Sequence, residues 1–305
     1  MQEVSVKSPA TVSNVVCGFD CLGFALVEPF DDMTMRRIEV SDVRITHHDD
    51  FGLSTDPRQN VAGIALLAMM QEANLDHGFE LEITKHIMPG SGLGSSAASA
   101  CGAVVAANRL LGDRFSRSQL IEFAIEGETA ASGARHADNL APCLLGGFTL
   151  VRTTEPMDLV SLEFPPLYAT VLHPQIEIKT SEARAILPKH VLLKDAVHQW
   201  SNLAALVAAL ACGDYDLLSR SLEDRIVEPA RKALIPGFDD VKIGALSAGA
   251  LGGGISGSGP AVFMLSHSPE IAANVEAEMI AVYSTKGIEF KTYTSPIAAE
   301  GVRFI

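Results

Sequence analysis

The sequence predicts an α+β fold in two domains, with mixed and antiparallel sheets. Three observations carry that expectation. Residues 79–85 alternate apolar and polar side chains as a half-buried strand does. Residues 97–111 form a proline-free run rich in Ala, Val and Leu, so a strand, a glycine loop and a helix follow one another. Beyond about residue 153, Pro156, Pro165 and Pro166 change the character of the chain, which divides it into 1–153 and 154–305. In the second part short strands and helices succeed one another as they do where helices cover one face of a mainly antiparallel sheet. At 305 residues and 48% hydrophobic content, the chain can fill two cores of ordinary size.

Taken in order, Val4 and Val6 open a strand that passes through Pro9, Ala10 and Thr11 into a loop at 13–20, where polar groups sit beside Gly18. Alternating segments at 35–40 and 43–46 read as a small meander within 33–55. Asn60 caps a helix carrying Val61, Ala62, Ile64 and Leu67. After the strand, loop and helix already described, Ser116 and Gln119 form a capping box that opens a helix over 117–131. A turn of small and polar residues follows at 132–139, and a strand at 146–151 closes the first domain. The second half reads as a strand at 168–172, helices at 195–212, 214–228 and 239–247, a strand at 261–265, a helix at 270–283 and a strand at 289–293. A second glycine-rich segment, 252–259, precedes the 261–265 strand.

Bulk properties narrow the function. A formal net charge of −14 argues against non-specific nucleic-acid binding and requires that any anionic substrate be held by a few local cations. The cysteines at 17, 21, 101, 143 and 212 are scattered and odd in number, which points to reduced thiols in a cytoplasm rather than a disulfide framework. Cys17 and Cys21 lack the second pair a zinc site needs. No apolar run reaches membrane-spanning length, and Gln2 and Glu3 do not begin a basic-then-apolar leader, so a cytoplasmic protein with no membrane partner is expected.

The loop between the 79–85 strand and the following helix is nearly free of side chains: Pro89, Gly90, Ser91, Gly92, Leu93, Gly94, Ser95, Ser96. The unpaired N–H groups and positive dipole end of the helix face those glycines, an arrangement that holds phosphate. The two serines can add oxygen ligands for a phosphate-bound cation. No Lys follows the last glycine, so this is not a Walker A loop. Gly92, Gly94 and Ala97 fit a loose dinucleotide fingerprint, but that motif needs a second strand bearing an acid, and the segment there reads as helix. A flexible linker does not have such tightly patterned flanks.

Three segments call for one explanation: Pro9-Ala10-Thr11 with Ser13-Asn14 and Gly18-Phe19-Asp20, the Gly92-Leu93-Gly94-Ser95-Ser96 loop, and Gly253-Gly254-Ile255-Ser256-Gly257-Ser258-Gly259-Pro260. In this order they resemble the GHMP small-molecule kinases. Within that superfamily Ser132-Gly133-Ala134-Arg135-His136-Ala137-Asp138-Asn139, the stretch from Lys179 to Pro188 with Arg184, and Asp224 to Arg231 look most like the homoserine kinase family. The resemblance implies a two-domain fold with the active site between the domains, ATP and Mg²⁺, L-homoserine as the small-molecule substrate phosphorylated for threonine biosynthesis, and a homodimer. It also implies roles. The nucleotide would lie on Met88, Pro89, Gly90, Ser91, Gly92, Leu93, Gly94, Ser95, Ser96, Ala97 and Ala98, with Ser96 and Glu128 as magnesium ligands. Substrate would meet Asn14, Asp20, His136, Asn139, Thr180, Arg184 and Arg231. Asn14, Glu128, Asp138 and Asn139 would surround the reacting groups, and the resemblance leaves open whether Asp138 is a general base or transfer is base-free.

Chemistry alone makes sense of these types, since a zwitterion with a hydroxyl needs cations for its carboxylate, an anion for its ammonium and hydrogen-bonding groups near the reacting oxygen. Each residue also has a plainer reading. Arg184 and Arg231 are also surface ion-pair formers, Glu128 a solvated helix residue, Asp20 a turn-former, His136 a structural histidine and Asn14 a helix cap. The 252–259 glycines are equally a tight-turn device for domain packing. The functional alternatives are another GHMP-type kinase acting on mevalonate or a sugar, an NAD-dependent dehydrogenase, and a non-catalytic binding protein.

Overall fold

The computed structural model describes residues 2–305, without the side chains of Ala131 and Ser132, so the Ser132 end of the 132–139 turn lies outside the described residues. The chain runs β1 (Glu3–Val15), β2 (Gly18–Ile38), β3 (Val43–His47), α1 (Val61–Ala73), β4 (Gly78–Thr84), α2 (Ser95–Leu110), α3 (Arg117–Ser132), α4 (Leu140–Leu145), β5 (Phe148–Thr154) and β6 (Met157–Leu162). It continues with β7 (Tyr168–Pro174), α5 (Thr180–Ala185), α6 (Leu193–Cys212), α7 (Tyr215–Ser221), α8 (Glu228–Arg231), α9 (Phe238–Ser247), β8 (Gly252–Ile255), β9 (Val262–Ser266), α10 (Pro269–Ser284), β10 (Phe290–Pro296) and β11 (Arg303–Phe304). The expected α+β class with mixed and antiparallel sheets is what forms.

The first sheet has the order β11-β1-β2-β4-β3, and β5 and β6 extend it from the early part of β2. One pair, β3 with β4, is parallel. The expected meander at 33–55 is therefore absent: residues 33–38 finish β2, and β3 reaches β4 across α1 rather than folding back on β2. The loop expected at 13–20 is instead the tight reversal between β1 and β2, whose strands pair from Glu3–Arg36 up to Val15–Gly18 with two register shifts. α2 lies directly on this sheet because its inner face is small. A Cβ on Gly102 would meet the Met33 sulfur at 2.3 Å. Asn60 caps α1 and the Ser116–Gln119 capping box opens α3, both as the sequence predicts.

The second sheet, β10-β7-β9-β8, is antiparallel throughout. Its alternation sends Leu172, Val262 and Met264 into a core with α9 and α10, and Val171, Phe263 and Leu265 toward the first domain. Phe24 of β2 meets Phe263 edge-on at 5.6 Å, which joins the two sheets. The helix expected over 214–228 stops at Ser221. Asp224 then accepts the backbone N–H groups of Ile226, Val227 and Glu228 and starts α8 afresh. The division expected at 153 falls inside the β5–β6 hairpin, both strands of which are in the first sheet. The chain passes to the second sheet after Leu162, and β11 returns to pair with β1.

Candidate active site

A cavity of about 330 Å³ opens where the N-terminus of α2, the β1–β2 reversal, α5 and α8 converge. Gly94, at φ +66°, turns the chain into α2, and Ser95 and Ser96 bring the first helical turn to the cavity wall. The N–H groups of a first turn have no intrahelical acceptor, so they are available to an anion. Pro89, Gly90, Ser91, Gly92 and Gly94 line the same wall. Leu93, Ala97 and Ala98, expected with them, are buried in the core beneath, so only their backbones can face a ligand. Met88 is half-buried at the loop entrance, where its carbonyl accepts from the Ser91 N–H at 3.3 Å.

The second glycine-rich segment closes on this loop from behind. Ser256 Oγ donates to the Gly92 carbonyl at 2.6 Å, and the Ala261 N–H donates to the Ser91 carbonyl at 3.2 Å. A Cβ on Gly92 would stand 2.5 Å from the Ser256 carbonyl oxygen. The domain-packing reading of the 252–259 glycines and their place at the phosphate loop are thus the same fact.

Three acids with distinct surroundings border the cavity. Glu128 of α3 accepts from Ser96 Oγ at 2.7 Å, and burial raises its carboxyl above the usual range against the opposing pull of that bond and of nearby His136. It is not a solvated helix residue. Asp138 is 3% exposed, and burial together with the charge of Asp20 pushes it up to about 6. Asp20 is the more open of the three, its side chain 32% exposed, with His136 Nδ1 3.7 Å from Oδ1. Asn14, Val16 and Asp20 in the reversal all have φ near +50°, a region costly for a β-branched residue such as Val16. The strain is held by Asn14. Its Oδ1 accepts the Asp20 N–H at 2.7 Å, and its Nδ2 donates to the Gly257 carbonyl at 2.9 Å. Asn139 is likewise a cross-brace, donating to Ser13 Oγ at 2.9 Å and accepting from Thr11 Oγ1 at 2.8 Å. Each amide keeps one N–H.

The arginines differ from one another. Arg231 is 2% exposed, and its Nε and Nη1 donate to the carbonyls of Ala183 and Gly257 at 3.0 Å each. Two backbone oxygens therefore aim the guanidinium of Arg231, which lines the cavity. Burial, with Arg184 nearby, lowers its affinity for its proton. Arg184 is 41% exposed, and its Nη2 donates to both Asp20 oxygens at 2.8 and 3.1 Å. The sequence separates these two as anchors for opposite ends of a zwitterion. In the fold they are a pair, and both guanidinium groups lie near the Phe19 ring. Thr180 reaches the cavity from α5, 3.4 Å from Ser258 Oγ.

Arg184→Leu is expected to raise KM for a carboxylate substrate roughly ten- to a hundredfold with little change in thermal stability, since a charged hydrogen bond is worth roughly 1.5–3 kcal/mol. Arg184→Lys should recover part of it. Arg231→Leu should match that KM change and also lower the melting temperature, because the Ala183 carbonyl loses the Arg231 donor and the Gly257 carbonyl keeps only Asn14 Nδ2 of its two. Steady-state kinetics beside a melting curve separates the two. An unchanged KM in both variants removes the arginines from the substrate site.

Sequence reasoning missed Ser13, Lys85 and the wall formed by Leu53, Ser54, Gln59 and Val61, with Asn60 known only as a cap. Lys85 left a signal, a cation four residues before Pro89 at the end of an alternating strand.

The GHMP kinases N terminal domain model matches residues 60–147 and the GHMP kinases C terminal model matches 203–285. A homoserine kinase from Chlorobium phaeobacteroides (strain BS1) is 43% identical, with both chains covered in full. A crystal structure of homoserine kinase from Cytophaga hutchinsonii superposes with a TM-score of 0.96 at 47% identity, over 100% of this chain and 98% of that one. L. major mevalonate kinase, at 16% identity and a TM-score of 0.73 over 95% and 94% of the two chains, shares the fold.

Proposed function

This chain belongs to the homoserine kinase family of the GHMP kinases and is an ATP-dependent kinase of L-homoserine, and we propose that the cavity described above is where the transfer takes place. One observation carries the proposal: the anion-binding loop at the start of α2 and the Asp20, Arg184 and Arg231 group line a single cavity, so a polyphosphate and a small zwitterion meet end to end. The dehydrogenase alternative fails on topology, because α2 leads into α3 and not into a parallel strand bearing a ribose-binding acid.

Phosphoryl transfer needs positioning and charge stabilisation above all. The first turn of α2 and its glycines hold the phosphates. Arg231 and Arg184 hold the substrate carboxylate, Asp20 and His136 face its ammonium, and Thr180 closes that end. The spare N–H groups of Asn14 and Asn139 orient the hydroxyl. Among the described residues no three His, Cys, Asp or Glu side chains cluster as a metal site. Ser96 and Glu128 nonetheless suit Mg²⁺, which takes few protein oxygens and completes its shell with phosphate and water. When bound, the ion would neutralise phosphate charge. Asp138, which burial pushes up to about 6, is the residue that would accept the hydroxyl proton where transfer uses a base.

ADP release from ATP and Mg²⁺ that depends on L-homoserine, and not on mevalonate or a sugar, is the expected outcome of a coupled assay. Brisk turnover on either of the others overturns the substrate assignment. The pH dependence follows from Asp138. As a base it must be ionised, so kcat should fall as pH drops through about 6, whereas base-free transfer leaves kcat flat there. Because its folded carboxyl lies above the ordinary 3.8, the folded state binds this proton more tightly than the unfolded chain. The group then costs stability as pH rises from 3.8 to about 6, and Asp138→Asn should melt higher than the parent at pH 7 but not at pH 3.5. We also place the enzyme in the cytoplasm, consistent with five free cysteines, and in a homodimer, for which light scattering should read twice the chain mass of 32.4 kDa. Leu193, Val197 and Trp200 form an exposed apolar row on α6 that a second copy would cover.

A further inference from the structure

Beneath the phosphate loop lies an ion pair that the mechanism above does not use. Lys85 and Asp31 are 5% and 0% exposed, and Lys85 Nζ contacts Asp31 Oδ2 at 2.5 Å. Asp31 projects from β2, and its other oxygen accepts the backbone N–H groups of His86 and Ile87 at 2.8 and 2.9 Å. Lys85 stands just past the end of β4. Its ammonium donates a second bond to the Ser95 carbonyl at 3.1 Å and a third to Ser99 Oγ at 2.9 Å, both in the first turns of α2. Ser95 Oγ completes the circuit by donating to the Ile87 carbonyl at 2.8 Å.

A buried ion pair gains little over a well-packed apolar pair, so stability does not account for it. Its geometry does. Asp31 fixes the residues that enter the loop and Lys85 grips the helical turns that leave it, so the pair sets the span across which residues 88–94 arch. The three ammonium hydrogens meet three acceptors at once, which no neutral side chain of that length can reproduce. We propose that Asp31 and Lys85 are positioning residues for the nucleotide phosphates, acting through the backbone of the loop and the first turn of α2. The inference rests on that loop being the nucleotide site.

The test is the double variant Asp31→Asn/Lys85→Met. The Asn oxygen still accepts the two backbone N–H groups, while the charge pair and the grip on α2 are lost. It should fold, raise KM for ATP about tenfold, and leave KM for L-homoserine within about twofold. Ser99→Ala, which removes one of the three ammonium partners, should move KM for ATP in the same direction by about threefold. A parental KM for ATP in the folded double variant overturns the proposal, as does a proportional loss in kcat and both KM values, which marks general scaffolding. If the double variant does not fold, Ser99→Ala decides alone, and a parental KM for ATP there overturns it. Gly92→Val separates the premise from the inference. Should it also leave ATP binding intact, the loop is not the nucleotide site.

Discussion

Gly92→Val should remove ATP-dependent turnover, with kcat/KM for ATP down by a factor on the order of a thousand. The loss has two sources in the structure. Gly92 has φ +83°, where a β-branched residue costs roughly 1–3 kcal/mol. Its Cβ would also stand 2.5 Å from the Ser256 carbonyl oxygen and 2.9 Å from that of Gly259, backbone atoms that cannot swing aside. The loop must therefore lift off the second glycine segment, and the N–H groups that face the cavity lose their alignment. The same clash lowers the melting temperature, so a control is needed. At Gly90, with φ +73°, a Cβ meets nothing within 4 Å, so Gly90→Ala reports the dihedral penalty alone, roughly 1–2 kcal/mol. Titration calorimetry with ATP analogues on folded Gly92→Val is the decisive measurement. Parental affinity there takes the loop out of the phosphate site.

What could be read from the sequence was what is local. The Asn60 cap, the Ser116–Gln119 box and the turn from Gly94 into α2 each complete their hydrogen bonds within a few residues, so pattern and chemistry coincide. β2 was invisible as one strand because, beside β1, it serves two different partners along its length. Its early part pairs with β5 and its later part with β4, and its burial does not alternate as a simple strand's does. The parallel β3–β4 pair, made across an intervening helix, left no turn signal. In the site, residue types were legible through family resemblance and their relations were not. Arg184 and Asp20 lie 164 residues apart, and nothing in either segment announces that they pair. Asp31 and Lys85 lie 54 residues apart; Asp31 falls in no element the sequence predicts, and Lys85 reads as the polar end of an alternating strand, where a charge normally points to water. Burial reversed two plain readings: Glu128 sits beside Ser96 with its carboxyl raised, and Arg231 is closed in by backbone carbonyls.

Glu128→Gln should lower kcat about a hundred- to a thousandfold while the protein stays folded. The amide keeps the shape of the carboxyl and can still accept from Ser96 Oγ, which in the parent lies 2.7 Å from Oε2. What it loses is the charge that would hold a hard cation against phosphate. Burial already disfavours the ionised form of Glu128, so the unliganded protein bears the cost of that charge and the substituted one does not. The melting temperature without ligand should accordingly stay level or rise at pH 7, where a merely structural carboxylate would make it fall. The magnesium dependence of the remaining activity carries the second half of the argument: the concentration needed for half-maximal rate should rise at least tenfold, because Ser96 alone is a weak neutral ligand. A parental rate with parental magnesium dependence ends the ligand assignment. A lowered rate with unchanged magnesium dependence moves Glu128 from the cation to the alignment of α3 against α2.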